Sequence, residues 1–236
     1  MTDTKNSAVI EGLFKAGAHF AYSKSRRHPS VKSYIFGAKN KVEIFDLEKT
    51  SDLLEKAKMF VKTLGAEGKQ ILFVGGKPES RDTMKNGALA INMPYVAGRW
   101  IGGTLTNFGQ IRSRIDKMLT LMDQREKGEL SKYTKKERLL IDREITKLNL
   151  FFSGLVLLKG MPQAVFVIDS RKEKIAVDEA KKMNIPVIAL LGSDCDISEV
   201  DHAIVGNDAS LASIRFFVDQ IVKAYQEGKG SVERKA

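Results

Sequence analysis

The chain has 236 residues, of which 43% are apolar, and it carries a net charge of +10 with a pI of about 9.5. This apolar fraction is ample for a buried core and excludes a disordered tail protein. The excess of positive charge favours a polyanionic partner, with nucleic acid first and an anionic membrane surface second.

The compartment is indicated by the cysteine content and by the absence of long apolar segments. The single cysteine, Cys195, excludes an intramolecular disulfide and fits a reducing compartment. The first residues include Asp3, Lys5 and Glu11 and form no uninterrupted apolar core, so no secretory signal is predicted. The longest apolar stretch, residues 150–158, is too short to span a bilayer. We therefore expect a cytoplasmic protein.

The N-terminal region combines a helix with a basic segment. Apolar spacing predicts a helix over residues 7–18, and residues 25–29 form helices poorly, which predicts an extended arm or loop. Interleaved aromatic residues can stack on bases, or they can anchor a solvated basic loop to the core. We favour RNA binding, because seven basic residues occur here without one acidic residue: Lys15, Lys24, Arg26, Arg27, Lys32, Lys39 and Lys41.

An α/β pattern follows the basic segment. Residues 34–36 and 42–45 are predicted to form a hairpin around residues 37–40, and a helix is predicted over residues 47–64, ending at Gly65. Short apolar runs then alternate with helical patterns, which predicts a three-layer fold with a parallel five-stranded sheet. The strands are predicted at residues 71–74, 95–97, 164–168, 187–191 and 203–205. The intervening helices are predicted at residues 79–90, 174–183 and 209–226.

The α/β pattern is interrupted between residues 105 and 158. Two stretches with apolar residues spaced four, three and four apart predict an inserted antiparallel coiled-coil helical hairpin. Thr134 and Glu137 are spaced as a capping box at the start of the second helix. We expect five parts: an N-terminal helix and basic arm (1–33), a first α/β part (34–104), the helical hairpin (105–158), a second α/β part (159–227) and a flexible tail (228–236).

Residues 99–108 form the most informative motif, in which an arginine and the only tryptophan precede two glycines and three small polar residues. Exposed amides, hydroxyls and a guanidinium suit a phosphodiester backbone, and Trp100 offers a face for stacking on a base. The alternative is a tight glycine turn with Trp100 in the core. The residues predicted to bind RNA are therefore Lys24, Arg26, Arg27, Lys32, Lys39, Asn40, Lys41, Arg99, Trp100, Gly102, Gly103, Thr104, Thr106 and Asn107.

No strong catalytic motif is found. Pro78 follows Gly76-Lys77, so the P-loop pattern fails, and no dinucleotide fingerprint occurs. Asp169, Asp194 and Asp196 follow predicted strands and could hold Mg²⁺ in a nuclease or phosphotransferase of Toprim-like type. This enzyme is the alternative hypothesis. We expect no catalytic residue, metal or cofactor, and no small-molecule substrate.

Several segments, in order along the chain, resemble the family of bacterial small-subunit ribosomal protein number two. The resemblance extends from about residue 13 to 226 and departs from the family at Ala21 and Tyr22, where Gly-His is usual. The segments that carry it are residues 16–20, 34–41, 46–50, 71–75, 99–108, 161–169, 184–187 and 206–208.

This resemblance implies a flavodoxin-like sheet with a protruding helical hairpin and a structural role without catalysis. It further implies that the protein lies on small-subunit ribosomal RNA where the head of the subunit meets the body. The implied partners are neighbouring small-subunit proteins, among them the large messenger-binding ribosomal protein number one, which the chain would help to recruit.

Overall fold

A computed structural model of the chain describes residues 2–233, with the side chains of residues 8–231. The helices are α1 (Thr2–Lys15), α2 (Leu47–Ala66), α3 (Pro78–Ala90), α4 (Phe108–Glu126), α5 (Lys135–Phe152), α6 (Lys174–Lys182) and α7 (Leu211–Glu233). The strands are β1 (Phe20–Ser23), β2 (Ile35–Lys39), β3 (Val42–Phe45), β4 (Ile71–Val74), β5 (Tyr95–Val96), β6 (Ala164–Ile168), β7 (Val187–Leu191) and β8 (His202–Val205).

The central sheet confirms the predicted architecture. Its five strands are all parallel and lie in the order β5-β4-β6-β7-β8, as in flavodoxin-like folds. Strands β4, β6 and β7 are buried at every residue, which explains their continuous apolar sequences. Helices α2, α3 and α7 cover one face of the sheet, while α6 and the base of the helical hairpin pack against the other.

Two glycines bring α2 and α7 into close contact. Gly65, predicted to end α2, is a buried residue inside it, and a Cβ there would collide with the carbonyl of Tyr225. A Cβ at Gly228 would likewise collide with the carbonyl of Lys62. The flexible tail predicted from residue 228 is instead helical as far as Glu233, where α7 ends. Met1 and residues 234–236 lie outside the described residues.

The N-terminal region is more ordered than the predicted arm. Helix α1 ends three residues early in a Schellman motif, in which Gly17 adopts a φ of 70° and the amide of Ala18 donates to the carbonyl of Leu13. Residues 20–34 form β1 and two short 3₁₀ helices, and β1 joins β3 and β2 in an antiparallel sheet. The β2–β3 turn is Asn40-Lys41, both with positive φ, so it is shorter than predicted.

Helices α4 and α5 form the predicted antiparallel hairpin. Its seam is buried at Ile111, Ile115 and Met118 of α4 and at Ile145, Leu148 and Phe152 of α5. The capping box is confirmed, because Thr134 and Glu137 each accept a hydrogen bond from the other's backbone amide. Within the described residues, no helix is long and apolar enough to cross a membrane.

Candidate nucleic-acid interface

The glycine-rich segment that follows Arg99 is folded around one carboxylate of this chain. Glu179 of α6 is buried, and its Oε1 accepts hydrogen bonds from the Trp100 indole at 3.1 Å and the Gly103 amide at 2.7 Å. Its Oε2 accepts from the amides of Leu105 and Thr106 at 3.0 and 3.2 Å, and from the Thr106 hydroxyl at 3.2 Å. Of the residues expected to bind RNA, Trp100, Gly103 and Thr106 are therefore already bound to Glu179.

These contacts change the interpretation of several residues in the segment. Trp100 is buried, which supports the core alternative over base stacking. Thr104 is also buried and donates to the carbonyl of Ile101 at 2.6 Å. Arg99, Gly102, Thr106 and Asn107 remain exposed, although the amide and hydroxyl of Thr106 are bound to Glu179. Since Thr106 is the one member of these four that is hydrogen-bonded to Glu179, Arg99, Gly102 and Asn107 are the residues of this segment left for an RNA contact.

The hydrogen bonds also set the charge of the buried carboxyl. Burial acts to raise the pKa of Glu179, but the donations from Trp100, Leu105, Gly103 and Thr106 outweigh it, so the pKa lies below the ordinary glutamate value. Glu179 is therefore a permanent anion at neutral pH. It fixes the segment in the way that a bound anion would.

The basic arm is fixed to the edge of the sheet by three backbone groups. The amide of Tyr22 donates to Ser193 Oγ at 3.0 Å, and the amide of His28 donates to the carbonyl of Ser193 at 2.8 Å. In addition, the amide of Ile197 donates to Ser30 Oγ at 3.1 Å. Ser193 and Ile197 lie in the segment that follows β7, so these contacts place the arm beside the carboxyl end of that strand.

The arm's two arginines are held by acidic residues. Arg27 donates to Glu43 at 2.6 Å, and both side chains are largely buried. Arg26 lies over the Tyr22 ring at 4.5 Å and is 3.9 Å from Asp194. Arg27 is therefore one half of a buried ion pair with a structural role, whereas the guanidinium of Arg26 stays exposed and can contact a partner.

The remaining predicted residues of the basic segment lie on the arm and at the adjoining β2–β3 turn, and they are available to a partner. All are exposed, and the lysines make no salt bridge within the part of the chain that the structure describes. They are Lys24 and Lys32 on the arm, and Lys39, Asn40 and Lys41 at the β2–β3 turn; we call the four lysines the arm lysines.

Sequence reasoning missed three cations that extend this surface. Arg171, Lys172 and Lys174 follow β6 and are exposed, and Arg171 and Lys174 share a groove with Arg26. We call these four residues the basic rim. Asp194 and Glu199 partly neutralise it, at 3.1 Å from Arg171 and 4.0 Å from Lys174. The run of three cations within four residues was the available sequence signal.

The carboxyl ends of β4, β6 and β8 meet at a buried lysine. Lys77 Nζ lies 2.6 Å from Asp169 and 2.5 Å from Asp208, and all three side chains are largely buried. Burial raises the pKa of Asp208 to about 6, with Lys77 opposing the shift. Burial acts to lower the pKa of Lys77, but the two carboxylates outweigh it and raise the pKa. The ion cluster is thus charged at neutral pH.

The contacts of Lys77 argue against the hypothesis that the protein is a Mg²⁺-dependent enzyme. Asp169, Asp208 and Cys195 bring ligand atoms within 4.8 Å of one another, but the Lys77 ammonium already contacts both carboxylates. Asp194 is bound by Arg171, and Asp196 accepts from the amide and hydroxyl of Ser198.

The thiol offers no alternative chemistry. Burial raises the pKa of Cys195 to about 12, so its thiolate is not accessible at neutral pH. Neither the Mg²⁺ hypothesis nor a cysteine nucleophile is supported.

An α/β sheet with a helical hairpin, a crevice filled by Lys77 and a basic edge fits the class of nucleic-acid-binding scaffolds. The family model described as "Ribosomal protein S2" matches residues 13–228, so the chain belongs to the ribosomal protein S2 family. It is 40% identical over 221 residues to the small ribosomal subunit protein uS2 of Helicobacter acinonychis, covering 94% of this chain and 90% of the relative. It is also 40% identical over 231 residues to uS2 of Wolinella succinogenes, covering 97% and 85%.

We expect Glu179→Gln to destabilise the free protein by about 3 kcal/mol. The two carboxylate oxygens of Glu179 together accept five hydrogen bonds, whereas a glutamine side chain has a single acceptor oxygen and would turn its NH₂ group towards some of the same donors. Since folding lowers the pKa of Glu179, its contribution is present above the ordinary glutamate pKa and is lost as pH falls through the lowered value. Urea unfolding at several pH values, followed by fluorescence of Trp100, measures both effects.

Asp178→Asn is the matched control, because Asp178 lies beside Glu179 on α6 and is exposed. Equal stability of the two variants at neutral pH would contradict the structural role of Glu179.

Proposed function

We propose that the chain is a structural constituent of the small ribosomal subunit that binds ribosomal RNA through the arm lysines, the basic rim and three further exposed residues, Asn40, Arg99 and Asn107. Membership of the S2 family supports the non-enzymatic, ribosomal role. The observation that carries the RNA-binding surface is the set of exposed arm lysines, which no salt bridge neutralises among the described residues. The RNA-binding residues of the proposal are Lys24, Arg26, Lys32, Lys39, Asn40, Lys41, Arg99, Asn107, Arg171, Lys172 and Lys174.

The mechanism is electrostatic and depends on rigidity. Each lysine that contacts a phosphate releases counterions from the RNA, and the gain in entropy drives association. A flexible arm would lose conformational entropy on binding. Here the contacts to Ser193 and Ser30 already fix the arm in the free protein. The lysines are therefore preorganised, and less of the binding free energy is lost to ordering.

The place of the protein on the ribosome belongs to the same proposal. We propose that it lies on the RNA where the head of the small subunit meets the body, and that it is ribosome-bound in the cytoplasm. We also propose contacts with neighbouring ribosomal proteins and a part in recruiting the large messenger-binding ribosomal protein number one. A protein contact is supported by exposed apolar residues near the hairpin tip, where Leu139 and Leu140 are 50% and 53% exposed.

The arm lysines give the first test of RNA binding. We expect the triple variant Lys24→Ala, Lys32→Ala and Lys39→Ala to bind small-subunit ribosomal RNA more weakly, and to flatten the plot of log affinity against log salt by about 2 to 3 units. Filter binding across a KCl series measures the slope. Lys56→Ala with Lys223→Ala removes exposed charge from α2 and α7 and serves as the control. An unchanged slope in the triple variant would contradict the proposed surface.

The hairpin tip gives a separate test of protein contacts. We expect Leu139→Asn with Leu140→Asn to reduce the amount of at least one neighbouring protein in purified subunits, because the apolar contact area is lost, while ribosomal RNA binding is retained. Quantitative mass spectrometry of the subunits measures this. Met59→Gln, at an exposed methionine of α2, is the matched control. Unchanged subunit composition would refute the tip as a docking site.

A further inference from the structure

A groove remains on the β5 side of the sheet, away from the arm. It lies between α3, the segment after β5 and the end of α5, and its volume is 290 Å³. We call it the α3 groove. The residues that define it here are Arg81, Lys85, Tyr95, Gly98, Arg99 and Leu150.

The charge of the α3 groove serves no evident purpose within the fold. Arg81, Lys85 and Arg99 are exposed and make no salt bridge in the described part of the chain. Asp82 is the one acidic residue of the lining. Arg81 and Lys85 lie four residues apart on α3, where two like charges repel each other and weaken a helix. Three uncompensated cations therefore converge at a cost to the isolated protein.

The shape of the groove suits a polymer backbone. A Cβ at Gly98 would meet nothing within 4 Å, so the floor beside Arg99 is open. Leu150 is 74% exposed, and half-buried Tyr95 lies nearby, so apolar surface adjoins the cations. Arginine guanidinium groups match phosphate oxygens in a bidentate geometry, and an apolar face can contact a ribose or base.

The α3 groove is also continuous with the basic rim. Arg81, Gly98 and Arg99 line a second groove together with Lys172, which belongs to the rim. A path of cations thus connects the arm side of the molecule with the β5 side. A long polyanion that lies on one side can therefore continue onto the other. A compact acidic protein would not need such a continuous path of cations.

We propose that the α3 groove binds a second segment of RNA backbone, distinct from the segment held by the arm lysines. This inference rests on the proposed function and assigns it a further site. Arg81, Lys85 and Arg99 neutralise phosphates of this second segment. Gly98 leaves the space through which the backbone passes.

Two kinds of variant test the groove, one by charge and one by shape. We expect Arg81→Ala with Lys85→Ala to flatten the salt dependence of binding to small-subunit ribosomal RNA by about 2 units. Gly98→Leu should reduce affinity by steric exclusion, because it fills the groove without removing charge. Gly160→Leu, at another glycine with open space around it, is the control for shape. Lys56→Ala with Lys223→Ala is the control for charge.

Hydroxyl-radical footprinting of the RNA separates the two segments. The groove variants should lose protection of nucleotides that the arm-lysine variant still protects. If both groove variants match their controls in affinity and slope while the arm variant weakens, the groove does not bind RNA, but the proposed function stands. If groove and arm variants lose protection of the same nucleotides, a second segment is refuted. If the arm variant also binds normally, the RNA-binding surface of the proposed function fails as well.

Discussion

The ammonium of Lys77, held between Asp169 and Asp208, fills the crevice at the carboxyl edge of the sheet and leaves only the outer surface for a partner. In parallel α/β sheets, ligands bind at the carboxyl ends of the strands where the strand order reverses. Lys77 follows β4 and Asp169 directly follows β6, so their contact lies at that position. Asp208, after β8, joins the far side of the sheet to the same cation. The crevice is therefore filled by residues of this chain.

The same principle governs the glycine-rich segment. Its amides, its indole and a hydroxyl converge on Glu179, an internal anion in the place where a phosphate was expected. Strongly polar groups thus satisfy one another inside the protein, and the cations that remain unpaired lie on the outside. A protein of this kind binds through a fixed surface and does not transform a ligand, which agrees with the structural role of its family.

Sequence patterns predicted most of the fold because its signals are local. Buried strands, the capping box at Thr134 and the hairpin seam each depend on residues close together in the chain. Long-range pairing could not be predicted in this way. Glu179 lies more than seventy residues from its donors, and Glu43 removes Arg27 from the RNA-binding set through a contact formed only by folding. Gly65 indicated a helix end, but its role is to admit Tyr225 of a distant helix.

Lysine acylation followed by mass spectrometry, with the free chain and with its complex on small-subunit ribosomal RNA, distinguishes the buried lysine of the crevice from the surface lysines. A filled crevice and a cationic surface predict that Lys77 is unreactive in both states. Lys24, Lys32, Lys39, Lys41 and Lys172 should react in the free chain and be protected by RNA, while Lys56 and Lys223 should react in both. Arm lysines that stay reactive in the complex, or a reactive Lys77, would contradict this account of the crevice and the surface.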